Sequence, residues 1–392
     1  MDNKKNYLVG IATGIVLVII LNSLTTIYRV QVKGEINYGR KVEALYSVID
    51  KYYVNDYDKD ELLEHMYAGL LSGLGDPYTT YMDEKTLDKF DEDVAGAYAG
   101  IGVIIMHDKE ANKIIVGGNF KDSPGEKVGV KPGDEIIKVS NVEIDGTDFE
   151  LVPRLTKGAV GTTVSVSVYR PSDNQIYDFE ITREEIIMDT VVHRMLDNNI
   201  GYLRITQFDD VTYNQFLKAY TELNELGMEG LVLDLRNNPG GLMHIVVKIA
   251  DILVPEGYIT YTEDKNGKRE YHYSDESRIE IPLTVLVNGN SASASEVLSG
   301  AIKDHGVGTL VGTQTYGKGV VQSVYRFSDG SGVKVTISKY YTPAGICIDG
   351  IGITPDYIVE MSEEKSYTLS SLTLEEDEQL LRAIEVIKSQ IE

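Results

Sequence analysis

Two passages of this chain follow one order: an apolar run, a loop of small polar residues and glycine, then an amphipathic stretch. "GLVLDLR" (230–236) leads through "NNPGG" into "LMHIVVKIADILV", and "LTVLV" (283–287) leads through "NGNSASAS" into "EVLSGAIKDH". Short apolar runs rich in Val and Leu read as buried strands. The stretches after the loops read as helices, with Val297, Leu298, Ala301 and Ile302 on one face. Two strand–loop–helix units imply parallel strands whose loops leave the same carboxyl edge of a sheet. Ligand and catalytic sites of open α/β sheets gather along that edge.

The remainder of the chain divides by pattern. With 392 residues it exceeds one ordinary core, so several domains are expected. Residues 31–95 carry helical spacing in "VEALYSVIDKYYV" and "DELLEHMYAGLLSGL", broken by the Gly-Asp-Pro turn of "GDPYTTYM". Residues 96–185 switch to short strands, with strict alternation in "TTVSVSVYR". The α/β region spans 186–360, and residues 361–392 end in the amphipathic "LEEDEQLLRAIEVIKSQIE", expected to pack on the first helices or a second subunit.

A net charge of −24 argues against nucleic acid as a partner. The single Cys347 excludes internal disulfides and a cysteine-rich metal site. No histidine pair has metal-ligand spacing, and nothing calls for a cofactor. Between Lys5 and Arg29 lie 23 uncharged residues, long enough at about 1.5 Å per residue to cross a core of about 30 Å. No small-x-small cleavage site follows, so residues 1–30 read as an uncleaved membrane anchor.

The three serines of "NSASAS" raise the question of chemistry. A nucleophilic serine needs exposure, a base and nearby oxyanion donors. The first N–H groups of a helix lack internal partners and supply such donors. Ser291 falls in the loop and Ser295 in the first turn. Ser293 stands at the junction, directly before the Ala294 N–H. The G-x-S-x-G elbow and the phosphate-loop pattern each fail by one residue, in "GNSAS" and "GTQTYGKG". Candidate bases are His244 and His305, on the helices after the two loops, and Lys318, flanked by Gly317 and Gly319. Burial lowers a lysine's pKa and lets its amine accept a proton. Gln322, four residues on, would share a strand face with Lys318 and orient the amine.

Taken together, "LVLDLRNNPGG", "NGNSASASEVLSGAIKDH", "YGKGVVQSV" and "YYTPAGICIDGIGITPD" closely resemble the carboxyl-terminal processing peptidases. These are serine endopeptidases with a Ser-Lys dyad and an embedded PDZ domain. The resemblance implies a multidomain α+β protein: an N-terminal membrane helix, a PDZ-type domain at 96–185, a crotonase/ClpP-like α/β protease core, and helical terminal elements for a homodimer. The family's serine lies 25 residues before its lysine, which selects Ser293 and Lys318, with Gln322 as the family's glutamine. Oxyanion donors are implied at Ala294 and at Gly240 or Gly241. A peptide-carboxylate loop is implied at Gly100, Ile101, Gly102 and Val103, in "YAGIGV". Many relatives carry an arginine where this chain has Lys157, which keeps the charge but loses the bidentate fork. Implied substrates are proteins or peptides with free C-termini, met outside a bacterial cytoplasmic membrane. The rival reading is a non-catalytic PDZ scaffold on a protease-like fold.

Overall fold

The computed structural model describes residues 38–391. The expected anchor of residues 1–30 lies outside them. Among the described residues no helix is long and apolar enough to cross a membrane. The chain divides into two units, Met1–Met66 and Tyr67–Glu392. In the first, helix α1 (Tyr38–Tyr52) precedes the start of helix α2 (Lys59–Ser72), and Asp50 accepts hydrogen bonds from Tyr57 and, at 3.0 Å, from Lys59.

The second unit begins with the end of α2, strand β1 (Thr80–Met82) and helix α3 (Glu84–Ala95). The Asp83 side chain caps α3 by accepting from Thr86 N at 2.8 Å, and Gly96 ends it in the left-handed conformation, φ 64°. A β-rich module follows: β2 (Ala97–Gly100), β3 (Val103–Asp108), β4 (Lys113–Asn119), α4 (Pro124–Val128), β5 (Glu135–Val139), β6 (Val142–Glu143), α5 (Leu151–Thr156), β7 (Thr163–Arg170), β8 (Gln175–Thr182) and β9 (Glu184–Ile187). The alternation expected in β7 puts Val164, Val166 and Val168 into a core with Ile114, Ile136, Val139 and Ile181. Strand β3 pairs with β4 alone, so its other edge is open.

The α/β region contains β10 (Val191–Leu196), β11 (Ile200–Ile205), α6 (Thr212–Glu225), β12 (Gly230–Asp234), α7 (Met243–Asp251), β13 (Gly257–Asp264), β14 (Arg269–Ser274), β15 (Leu283–Val287), α8 (Ala294–Asp304), β16 (Thr309–Gly312), β17 (Val320–Arg326), β18 (Gly332–Tyr341) and β19 (Tyr357–Ile358). The main sheet runs β10-β11-β12-β15-β16-β19. Strands β12 and β15 are parallel neighbours, Leu231 opposite Leu283, as the repeated unit implied. A second sheet joins β1, β18, β13 and β14, with β17 on β18.

Both faces of the main sheet are covered, which explains its unbroken apolar strands. Leu231 and Leu233 of β12 face Phe216, Ile249, Leu298 and Ile302 from α6, α7 and α8. Val232, between them, points the other way, into a cluster with Leu286 and Val311. That second face is closed by the final helix, α10 (Glu378–Ile391), which follows the short α9 (Glu363–Tyr367). Leu380, Ala383, Ile384 and Ile387 of α10 form the apolar seam. The apolar seam of this helix, expected on the first helices or a second subunit, meets the chain's own sheet. Its seam at three- and four-residue spacing fits the uncovered face of the chain's own sheet, so tightly that a Cβ on Gly230 would lie 2.4 Å from Ile387 Cγ2.

Candidate active site

The loops after β12 and β15 lie side by side at the carboxyl edge of the sheet and are tied together by asparagines. Asn237 N donates to Asn288 Oδ1 at 3.0 Å, Asn288 Nδ2 to Asn237 Oδ1 at 2.8 Å, and Ala292 N to Asn238 O at 3.0 Å. Two of the three serines complete this tie. Ser291 Oγ donates to Leu235 O at 2.8 Å, and Ser295 Oγ donates to Asn238 O at 3.0 Å. Both are fully buried. Ser293 takes no part in it.

Ser293 forms the N-cap of α8 with φ 54° and ψ −114°. A side chain at positive φ stores strain of about 1–3 kcal/mol, held only where the surroundings dictate it. Here the surroundings include Gly240, φ 105°, whose absent Cβ would lie 2.8 Å from Ser293 Cβ. The Ser293 hydroxyl neighbours the Tyr340 hydroxyl, whose pKa burial pushes up to about 12 while the serine pulls it back. Of the proposed oxyanion donors, Gly240 N is already taken by Asn238 Oδ1 at 2.8 Å. Gly241 N and Ala294 N donate to no acceptor of the described chain.

A single carboxylate joins the serine to the lysine segment. Glu296, fully buried, accepts from Ser293 N at 2.8 Å, Lys318 N at 2.9 Å, Gly317 N at 2.7 Å and Thr315 Oγ1 at 2.6 Å. Burial pushes its pKa up while these four donors pull it back. The sequence reading passed over Glu296, although Ser293 followed by Glu three residues later is the spacing of a capping box. The glycines around Lys318 do permit close approach of another element: a Cβ on Gly319 would lie 1.9 Å from Asp349 N.

The Lys318 side chain is half-buried. Burial drives its pKa down, Lys334 adds to the effect, and Glu296 opposes it. Its Nζ lies 5.0 Å from the centroid of the Tyr78 ring, with no hydrogen bond to Ser293 or Gln322 among the described residues. Gln322 Nε2 instead donates to Val320 O at 3.4 Å, beside a register slip between Val321 and Gln322 in the β17–β18 pairing. His244 and His305 are engaged elsewhere, with Asp210 at 3.2 Å and Tyr258 O at 2.8 Å. The cleft holds about 540 Å³, with Tyr78, Pro239, Ala292, Tyr316, Lys318 and Tyr367 on its walls.

Beneath the cleft Arg236, fully buried, anchors the "NNPGG" loop. It donates to both oxygens of Asp234 and to both of Asp377, just before α10. Asp234 also accepts from Tyr202 at 2.7 Å. The four residues Gly100, Ile101, Gly102 and Val103 lie together in the β-rich module. Ile101, Gly102 and Val103 line a mainly apolar pocket of about 160 Å³ with Tyr98 and Lys157. Lys157 pairs with Glu92 and stands 4.9 Å from the Tyr98 ring centroid.

The sequence matches two family models: Peptidase family S41 over residues 199–359, and the Activating protease CtpB N-terminal domain over residues 25–86. It is 36% identical to the carboxy-terminal processing protease CtpB of Bacillus subtilis over 328 residues, 82% of this chain and 68% of that one. It is 35% identical to CtpA of the same organism, over 82% of this chain and 69% of the relative. Among solved structures, the photosystem II D1 C-terminal processing protease is 32% identical with a TM-score of 0.48, covering 81% of this chain and 86% of that one. On this shared identity and length, the chain belongs to the carboxy-terminal processing proteases of peptidase family S41 and is a serine-type peptidase.

Proposed function

We propose that the protein is a membrane-anchored Ser-Lys endopeptidase that cleaves exported proteins near their C-termini, with the β-rich module acting as a PDZ domain that binds those termini and gates activity. The observation that carries the catalytic reading is the Glu296 carboxylate, which bonds the backbone of Ser293 and of Lys318 at once.

In this reading Ser293 Oγ attacks the scissile carbonyl carbon as its proton passes to the neutral Lys318 amine. The oxyanion accepts from the free N–H groups of Gly241 and Ala294. The C–N bond then breaks, Lys318 returns the proton to the leaving amine, and water releases the acyl group with Lys318 again as base. The amine, which makes no hydrogen bond to Ser293 among the described residues, would swing toward that serine's hydroxyl, and Gln322 would orient it there. The open edge of β3 and the adjoining apolar pocket support peptide addition at Gly100–Val103. The uncharged stretch between Lys5 and Arg29 supports an anchor.

The test is hydrolysis of a free-acid peptide by the full-length enzyme and its single-residue variants. Ser293→Ala and Lys318→Ala should each abolish turnover, while Gln322→Ala lowers it less because it positions and does not transfer a proton. Turnover retained in Ser293→Ala, or lost through His305→Ala in a folded protein, would overturn the assignment.

A further inference from the structure

We propose that Tyr78 is a positioning residue for Lys318: its ring face holds the lysine amine at a waiting place in the cleft and sets the pH at which that amine becomes available to Ser293. The inference rests on the Ser-Lys reading above and adds to it a residue from the N-terminal segment, outside the region matched to the peptidase family model.

The turn that breaks the helical pattern aims this ring. Asp76 accepts from Tyr78 N at 3.0 Å and from Thr79 Oγ1 at 2.6 Å, which curls "GDPYT" onto itself. Thr79 Oγ1 in turn accepts from Thr336 N of β18 at 3.0 Å, and β1 pairs with the same strand, Thr80 opposite Lys334. Tyr78 is thus fixed to the strand that carries Lys334, and its hydroxyl neighbours that of Tyr316. Lys318 Nζ sits 5.0 Å from the ring centroid, within the roughly 6 Å reach of a cation–π contact.

The contact acts on one protonation state. An aromatic face attracts an ammonium and not a neutral amine, so the ring favours charged Lys318 and holds it away from the nucleophile. Glu296, from α8, works in the same direction, and burial together with Lys334 from β18 works against it. Around the ring itself stand Tyr316, Asp349 and Glu296. Lys318 is therefore balanced between a charged, parked form and a neutral form free to serve as base.

Phenylalanine keeps the ring and leucine keeps only apolar bulk, so the pair separates the ring's electrostatics from its packing. The measurement is kcat/KM against pH for the full chain carrying Tyr78→Phe, Tyr78→Leu or Lys318→Ala. The acid limb of Tyr78→Phe should coincide with that of the unaltered enzyme. The limb of Tyr78→Leu should move to lower pH by about half a unit, a gain of about threefold on its acid side. Coincident limbs for Phe and Leu, or a limb moved upward in Leu, would overturn the role of Tyr78, even with Lys318→Ala inactive. An acid limb that persists in Lys318→Ala would instead remove the dyad itself.

Discussion

Glu296 shows how one fully buried side chain can tie the segments of a site together. Each of its oxygens receives two donors, and between them these belong to the segments of Ser293, Thr315, Gly317 and Lys318. Glu296→Gln would set an NH₂ group against either the Ser293 and Lys318 N–H groups or the Gly317 N–H and the Thr315 hydroxyl, leaving at least one N–H unpaired at a cost of about 1–3 kcal/mol for each such buried group. The expected result is a fall in kcat of at least about tenfold with KM changed much less, since peptide contacts elsewhere in the cleft remain. Unchanged kcat in Glu296→Gln would mean that the carboxylate only fills space. At the same scale, burial lowers the Lys318 pKa, so the amine is protonated below that value and neutral above it. Activity should climb as pH rises through a midpoint below the ordinary lysine value.

At the scale of elements, the loops and the helix that closes the sheet are coupled through buried charge. Arg236 sits between Asp234 at the end of β12 and Asp377 just before α10. Arg236→Met would leave both carboxylates buried without their cation, a loss of about 3–5 kcal/mol. Urea unfolding measures it, and a loss under about 1 kcal/mol would contradict the structural role. The same elements show what was legible. The paired strand–loop–helix units could be read because strands covered on both faces must be apolar throughout, and Ser293 was singled out among three serines by its place at the strand–helix junction. The amphipathic seam of α10 was equally plain, but a seam does not say which surface it meets. Tyr78 had no local signal. It reaches the cleft through a turn and a strand pairing far from Lys318 in sequence. The expectation for Gln322 followed strand parity, and parity does not dictate the hydrogen bond an amide selects.

At the scale of the whole molecule, the proposed peptidase joins a cleft, a peptide-binding module and an anchor. Amidating a peptide's C-terminus removes the charge that N–H groups near Gly100 and Gly102 would receive, so binding to the intact Ser293→Ala protein should fall sharply. Equal binding of free-acid and amidated peptides would remove the gating module from the reading. The central claim, Ser293 activated by neutral Lys318, is tested most directly by acylation itself. Intact-protein mass spectrometry, with a serine-directed active-site probe added over a range of pH, follows the covalent step without any assumption about substrate. The dyad requires one adduct, located on Ser293, forming faster as pH rises and absent in Lys318→Ala. An adduct on Ser291 or Ser295, or labelling of Ser293 at an undiminished rate in Lys318→Ala, would contradict it.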